Sequence, residues 1–142
     1  MRTVLVLAER DGSAVRKVTL ELLTLARRLG EPAAAVLGEA DADLVAVLGR
    51  HGATTVYQLP SADPVAALTA LAARIEPAAV LLESGLAGKE IAARLAIRLN
   101  CGIITDAIDV AAGPDGPVVT QSVLAGAWLA ESQVCRGTPV IK

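Results

Sequence analysis

The stretch TVLVLAERDGSAVRKVTLELLTLARRLG, residues 3–30, decides the fold. Thr3 to Ala8 is an apolar run of strand length without alternation, which is how a strand buried on both faces reads, so it belongs inside a parallel sheet. After a turn at Asp11-Gly12-Ser13, the residues Val15, Val18, Leu22, Leu25 and Leu29 recur every three or four positions. That spacing predicts a helix with one apolar face, with Ser13 as its N-cap and Gly30 as its C-terminal stop.

The same unit recurs along the chain. Ala33 to Leu37 is a second short apolar strand, and Asp41 or Asp43 can cap a helix carrying Leu44, Val47 and Leu48 that stops near Gly52. Thr54 to Leu59 is a third strand. Asp63-Pro64 places an N-cap before a proline at the first helical position, where its missing N–H costs nothing, and Leu68, Leu71 and Ile75 run on to Pro77. Ala78 to Leu82 is a fourth buried strand; Ile91, Leu95 and Leu99 mark a fourth helix ending at Asn100 to Gly102, and Ile103-Ile104 begins a fifth strand. Repeated strand-helix units imply parallel strands joined by right-handed crossovers. The expected class is therefore α/β, a doubly wound, mostly parallel five-stranded sheet in the order 3-2-1-4-5, which puts the first and fourth strands at a switch point. After Asp106 the texture changes: Gly113-Pro114-Asp115-Gly116-Pro117 is a turn between extended segments, Val118 to Ala125 and Ala127 to Val134 read as extended, and Pro139-Val140-Ile141 begins another apolar strand. The last third reads as a C-terminal β appendage. Residues 1–142 are expected to form one domain, and the stop at Lys142 inside an apolar run suggests part of a longer protein.

Composition narrows the function. A chain of 142 residues, 54% from the set AVILMFWYC and 20% charged, buries roughly two thirds of its unfolded surface in one core. Thirteen Lys plus Arg against fifteen Asp plus Glu give a net charge of -2 without a basic block, which argues against nucleic acid. There is no Phe, and Tyr57 and Trp128 stand alone, so no aromatic platform for bases can be built. His51 has no second imidazole, and Cys101 and Cys135 lack CxxC spacing, so zinc is not expected. Two separate thiols suit a reducing, cytoplasmic setting. No apolar run approaches the ~20 residues that span a bilayer, and the run at Val4 to Ala8 is too short for a signal peptide, so membrane insertion is not expected.

The sharpest local feature is Glu83-Ser84-Gly85-Leu86-Ala87-Gly88-Lys89-Glu90, between the fourth strand and its helix. Ligands of open parallel sheets bind at the carboxyl ends of strands, and a helix N-terminus suits an anion. Ser84, Gly85, Gly88 and Lys89 are the candidate cofactor-binding residues: the glycines let a phosphate approach the backbone and Lys89 offsets its charge. The spacing lacks the GxxxxGK[ST] of a P-loop and the GxGxxG of a dinucleotide fold, so a plain glycine-rich turn explains it as well. Glu9 to Ser13 forms the other crevice wall, and Glu9, Glu83 and Glu90 place negative charge near any phosphate, which makes the expected site vestigial. His51 reads as a general base or as a cation favourable to a helix C-terminus, the second fitting better. Asp106 and Asp109 read as a carboxylate pair or as loop polarity, again the second. No catalytic constellation is visible.

Several segments together resemble the N-terminal domain of the α subunit of an electron transfer flavoprotein. They are Val4-Leu5-Val6-Leu7-Ala8-Glu9, the helix Val18 to Gly30, the stretch Ser84 to Ala96, and Ile104-Thr105-Asp106, followed by a β segment with Ala125-Gly126. Leu124, Ala127 and Ala93 depart from the usual residues. The resemblance implies an α/β domain like those of adenine nucleotide α-hydrolases, paired with a β subunit of similar fold. It implies a holoprotein that carries electrons on FAD from acyl-CoA and other dehydrogenases to a quinone oxidoreductase. FAD would then sit mainly on a C-terminal domain absent from this chain, and AMP on the β subunit. No FAD-contacting residue carries over, so this segment is expected to bind none itself. The competing function is a stand-alone adenine-nucleotide-binding protein of the universal-stress-protein type, which calls for G-x2-G-x9-G-[ST]; Arg98 and Leu99 stand where the last pair would be. A small nucleotide-cleaving enzyme would need a base and a nucleophile in the crevice, and neither is visible.

Overall fold

In a computed structural model describing residues 1–142, the N-terminal apolar run becomes a strand over Thr3–Ala8, β1. A two-residue hairpin follows, β2 Arg10–Asp11 and β3 Ala14–Val15, before helix α1, Lys17–Ala26. Then come β4 Glu31–Leu37, α2 Ala42–Arg50, β5 Thr55–Leu59, α3 Pro64–Ile75, β6 Ala79–Leu81, α4 Leu86–Leu99 and β7 Ile103–Ile104. The remainder is β8 Ala107–Gly113, β9 Gly116–Val123, β10 Trp128–Gln133 and β11 Val140–Ile141.

The central sheet has six strands, all paired in parallel, in the order β5-β4-β1-β6-β11-β7. The doubly wound α/β class stands, and so does the expected sequence of the first five strands. The addition is β11, which returns from the appendage and inserts between β6 and β7. Its four backbone bonds explain the insertion: Val80 N–H to the Pro139 carbonyl at 2.8 Å, Leu82 to Ile141 at 2.9 Å, and Val140 to Gly102 and Lys142 to Ile104, both at 3.1 Å. Two short strands that would otherwise each present an unpaired edge are joined by it.

Why the strands read as unbroken apolar runs is visible in the two cores. Val4 and Val6, Ala34 and Val36, and Ala79 and Leu81 face α1 and α2 through Leu23, Ala26, Leu44 and Leu48. Their neighbours Leu5, Leu7, Ala33, Ala35, Val80 and Leu82 face α3 and α4 through Leu68, Leu71, Ala92, Leu95 and Ala96. Successive side chains of a strand point to opposite faces, and both faces are covered, so no position is left for a polar residue.

The appendage is a separate antiparallel sheet, β10-β9-β8, anchored by Val110 and Val119 in the α1/α2 core. The segment Ala107–Gly113, expected as polar loop around Asp109, is strand β8 of this sheet, paired antiparallel with the central β9.

Two local expectations are corrected. Ser13 does not cap α1: the helix begins at Lys17, with Arg16 as N-cap and no side-chain cap bond. Residues 10–15 form the hairpin around Gly12, whose φ of +62° suits a tight turn, and Val15 packs from that hairpin. The start of α1 is instead tied to the end of β1, where Arg16 N–H donates to the Glu9 carbonyl at 2.9 Å and the buried Thr19 Oγ1 accepts from Glu9 N–H at 2.8 Å. Gly30 likewise does not end the helix, which stops at Ala26. Glycine is needed there because a Cβ would lie 2.2 Å from the Arg2 carbonyl oxygen.

Candidate functional site

β1 and β6 are neighbours in the sheet, but the chain leaves β1 toward β4 and returns later to β6. Their carboxyl ends therefore flank the switch point, where crossovers depart to opposite sides and leave a crevice. Glu9 follows β1 on one side, and Glu83-Ser84-Gly85 leads from β6 into α4 on the other. The two turns are brought together there, with Glu9 and Glu83 close enough for their charges to interact.

What fills the crevice is an ion pair. Arg16, at the hairpin-to-helix junction, donates from Nη1 to Glu83 Oε1 at 3.0 Å, and its Nε lies 3.9 Å from Asp11. The Glu83 side chain is only 9% exposed. Burial lifts the Glu9 carboxyl above the usual carboxylate range; the Glu83 charge adds to the rise, Arg16 opposes it, and Asp11 adds a smaller push. Arg16 was not among the residues singled out from sequence, since nothing local distinguishes it from the chain's other arginines.

The four candidate residues are brought together at the N-terminus of α4, with different environments. Ser84 and Lys89 are exposed, Gly85 is the helix N-cap with extended backbone, and Gly88 is buried. Both glycines have a packing reason. A Cβ on Gly88 would lie 2.2 Å from the Glu83 carbonyl oxygen, and one on Gly85 would lie 2.7 Å from Glu83 Oε1. Beyond Ser84 an open groove of about 770 Å³ runs to Asp106, Ile108 and the β9–β10 turn at Leu124 to Gly126.

The other titratable residues lie apart. Asp109 is held by Arg28, with Nη1 to Oδ1 at 2.6 Å, whereas Asp106 faces Lys142 at 3.9 Å, so the two aspartates do not act as a pair. The Lys142 side chain is buried, 6% exposed, and was not among the residues singled out from sequence. His51 sits at the C-terminus of α2 with Nδ1 donating to the Val47 carbonyl at 2.9 Å. A crossover helix ends at the amino edge of the sheet, so His51 is on the far side from the crevice. Cys135 is exposed; burial raises the Cys101 thiol above its ordinary value. No helix is long and apolar enough to cross a membrane.

The crevice does not fit a flavin dinucleotide. Glu9 and Glu83 would face its pyrophosphate, and the cation within reach, Arg16, is already paired with Glu83 and close to Asp11. Tyr57 lies on β5, the far edge strand of the central sheet, away from the switch point between β1 and β6.

Comparison with known proteins gives a consistent picture. Residues 4–142 match the family model described as "Electron transfer flavoprotein domain". A relative from Mycobacterium leprae (strain TN), named electron transfer flavoprotein subunit alpha, is 43% identical across 99% of this chain and 46% of its own length. One of the same name from Mycobacterium tuberculosis (strain ATCC 25618 / H37Rv) is 41% identical over the same shares. Another, from Syntrophomonas wolfei subsp. wolfei (strain DSM 2245B / Goettingen), is 35% identical across 94% of this chain and 44% of that protein. The chain spans about half the length of the curated relatives it matches.

Proposed function

Because the chain belongs to the electron transfer flavoprotein domain family, we propose that it is the N-terminal scaffold and subunit-interface domain of an α subunit. The observation that carries this reading is the end-to-end match, at 41–43% identity, to proteins named as that subunit. In this reading the domain is an electron carrier's support and catalyses nothing. FAD, which would supply the one-electron and two-electron chemistry, belongs to a C-terminal domain outside this segment. The partners are the β subunit and, through the holoprotein, acyl-CoA and other dehydrogenases on one side and a quinone oxidoreductase on the other. A cytoplasmic setting suits such a carrier.

Surface chemistry supports the interface role. Ile108, Leu124, Trp128 and Leu129, all on the appendage, are exposed. Trp128 and Leu129 are successive residues of a strand and point to opposite faces, yet each is 66% exposed, so this end of β10 is uncovered on both sides. β10 is also an edge strand with unpaired backbone groups. Exposed apolar clusters of this kind mark protein interaction sites, and a tryptophan there is the residue type most enriched at their centres.

The test uses Trp128 as its own reporter, since it is the single tryptophan. The purified chain should be colourless, and adding a β subunit should shift its tryptophan emission to the blue and produce co-elution on size exclusion. Trp128→Ser should weaken that association about thirtyfold, in line with a hot-spot residue. Stoichiometric flavin absorbance in the isolated chain, or no association with the β subunit, overturns the reading.

A further inference from the structure

The anion position framed by Ser84, Gly85, Gly88 and Lys89 already faces a charged group from the chain itself. Helix α4 has no side-chain cap and no acidic residue in its first turn, so the positive end of its backbone dipole gets no compensation from within the helix. The carboxylate of Glu83 stands beside that end. Its Oε1 is 2.7 Å from where a Cβ on Gly85 would lie, and the glycine leaves the space that it uses. The side chain is more than nine-tenths buried, and its one charged partner is Arg16 at 3.0 Å, which reaches across the crevice from the other wall.

We propose that Glu83 is a built-in anion that closes the switch-point crevice to phosphate, with Arg16 as the cation that holds it in place. The pair sets a carboxylate, held by a guanidinium, beside the helix N-terminus where a phosphate would come to lie. An incoming phosphate would have to displace a carboxylate that is desolvated and paired, and would meet its charge if it did not. Once Glu83 is neutralised, Lys89, exposed at the same helix end, and Arg16, released from its partner, are the cations open to a ligand. The inference stands apart from the subunit reading: no partner protein enters it, and either can fail alone.

Calorimetry of the 142-residue chain with inorganic phosphate tests it. Glu83→Gln keeps the shape and removes the charge, and should tighten phosphate binding at least about tenfold over wild type, because like-charge juxtaposition is what opposes it. Lys89→Ala or Arg16→Ala in the Glu83→Gln background should reduce the gain. Arg16→Ala alone leaves the carboxylate in place and should produce none. Should Glu83→Gln fail to fold by circular dichroism, Glu83→Ser carries the same comparison. Equal phosphate affinity in wild type and a folded charge-removed variant overturns the proposal, as does a gain in Arg16→Ala matching that of Glu83→Gln.

Discussion

At Glu9 the chain keeps a half-buried carboxyl whose ionisation the fold opposes, by desolvation first and by the Glu83 charge second. A pKa raised in the folded state means that the folded protein holds the proton more tightly than the unfolded one. The stabilising contribution is then complete below the unfolded value, near 4.5, and is lost as pH rises through the folded value. Glu9→Gln removes the charge and leaves intact the backbone bonds from Glu9 to Thr19 and Arg16. It should therefore melt above wild type at about pH 7 and lose the advantage as pH falls toward 4. Thermal unfolding followed across that range checks the sign, and a variant that melts lower at neutral pH would refute it. The glycines show a related limit of reading single residues. Gly30 abuts the backbone carbonyl of Arg2, 28 residues earlier in the chain, a requirement that its own neighbours do not reveal.

Helix starts that depend on adjacent residues were legible, and those that depend on distant ones were not. Asp63 caps α3 as expected and Asp41, one of two candidates with Asp43, caps α2, accepting from Ala66 N–H at 3.1 Å and Leu44 N–H at 2.8 Å. Pro64 at the first position of α3 adds a preset φ. Asp63→Ala should cost about 1 kcal/mol, and Asp63→Asn much less, since the amide oxygen still accepts. Denaturant midpoints of the two variants make the comparison, and equal losses would show that charge, not the cap bond, matters there. At α1, by contrast, Ser13 had the right type and the right place before an apolar stripe. The backbone of Glu9 and the hydroxyl of Thr19 decided otherwise, because bonding the end of β1 to the first turn of α1 satisfies donors that a Ser13 cap would leave behind.

For the whole molecule, β11 is the element on which the rest closes. Val140 and Ile141 are buried, one on each side of the sheet, and burying each stabilises by about 1.5–3 kcal/mol before the four backbone bonds are counted. Against a typical domain stability of about 5–15 kcal/mol, a chain ending at Thr138 should lose cooperative unfolding, whereas Leu129→Ser on the exposed appendage should keep it. Urea titration followed by circular dichroism separates them, and a cooperative transition in the shortened chain would show that β6 and β7 can pair without the insert. The sequence by itself determined the doubly wound class, the alternation of strands and helices and the turns that follow the first and fourth strands. Those follow from uninterrupted apolar runs, helical spacing and the handedness of crossovers, all of which are local or general. Only the tertiary structure decided that Val140 and Ile141 leave the appendage for the centre of the sheet, and that Arg16 meets Glu83 across 67 residues of chain. A pairing between distant segments imposes no periodicity on either of them, so an arginine on a turn and a glutamate after a strand carry no mark of each other until the backbone brings them to 3.0 Å.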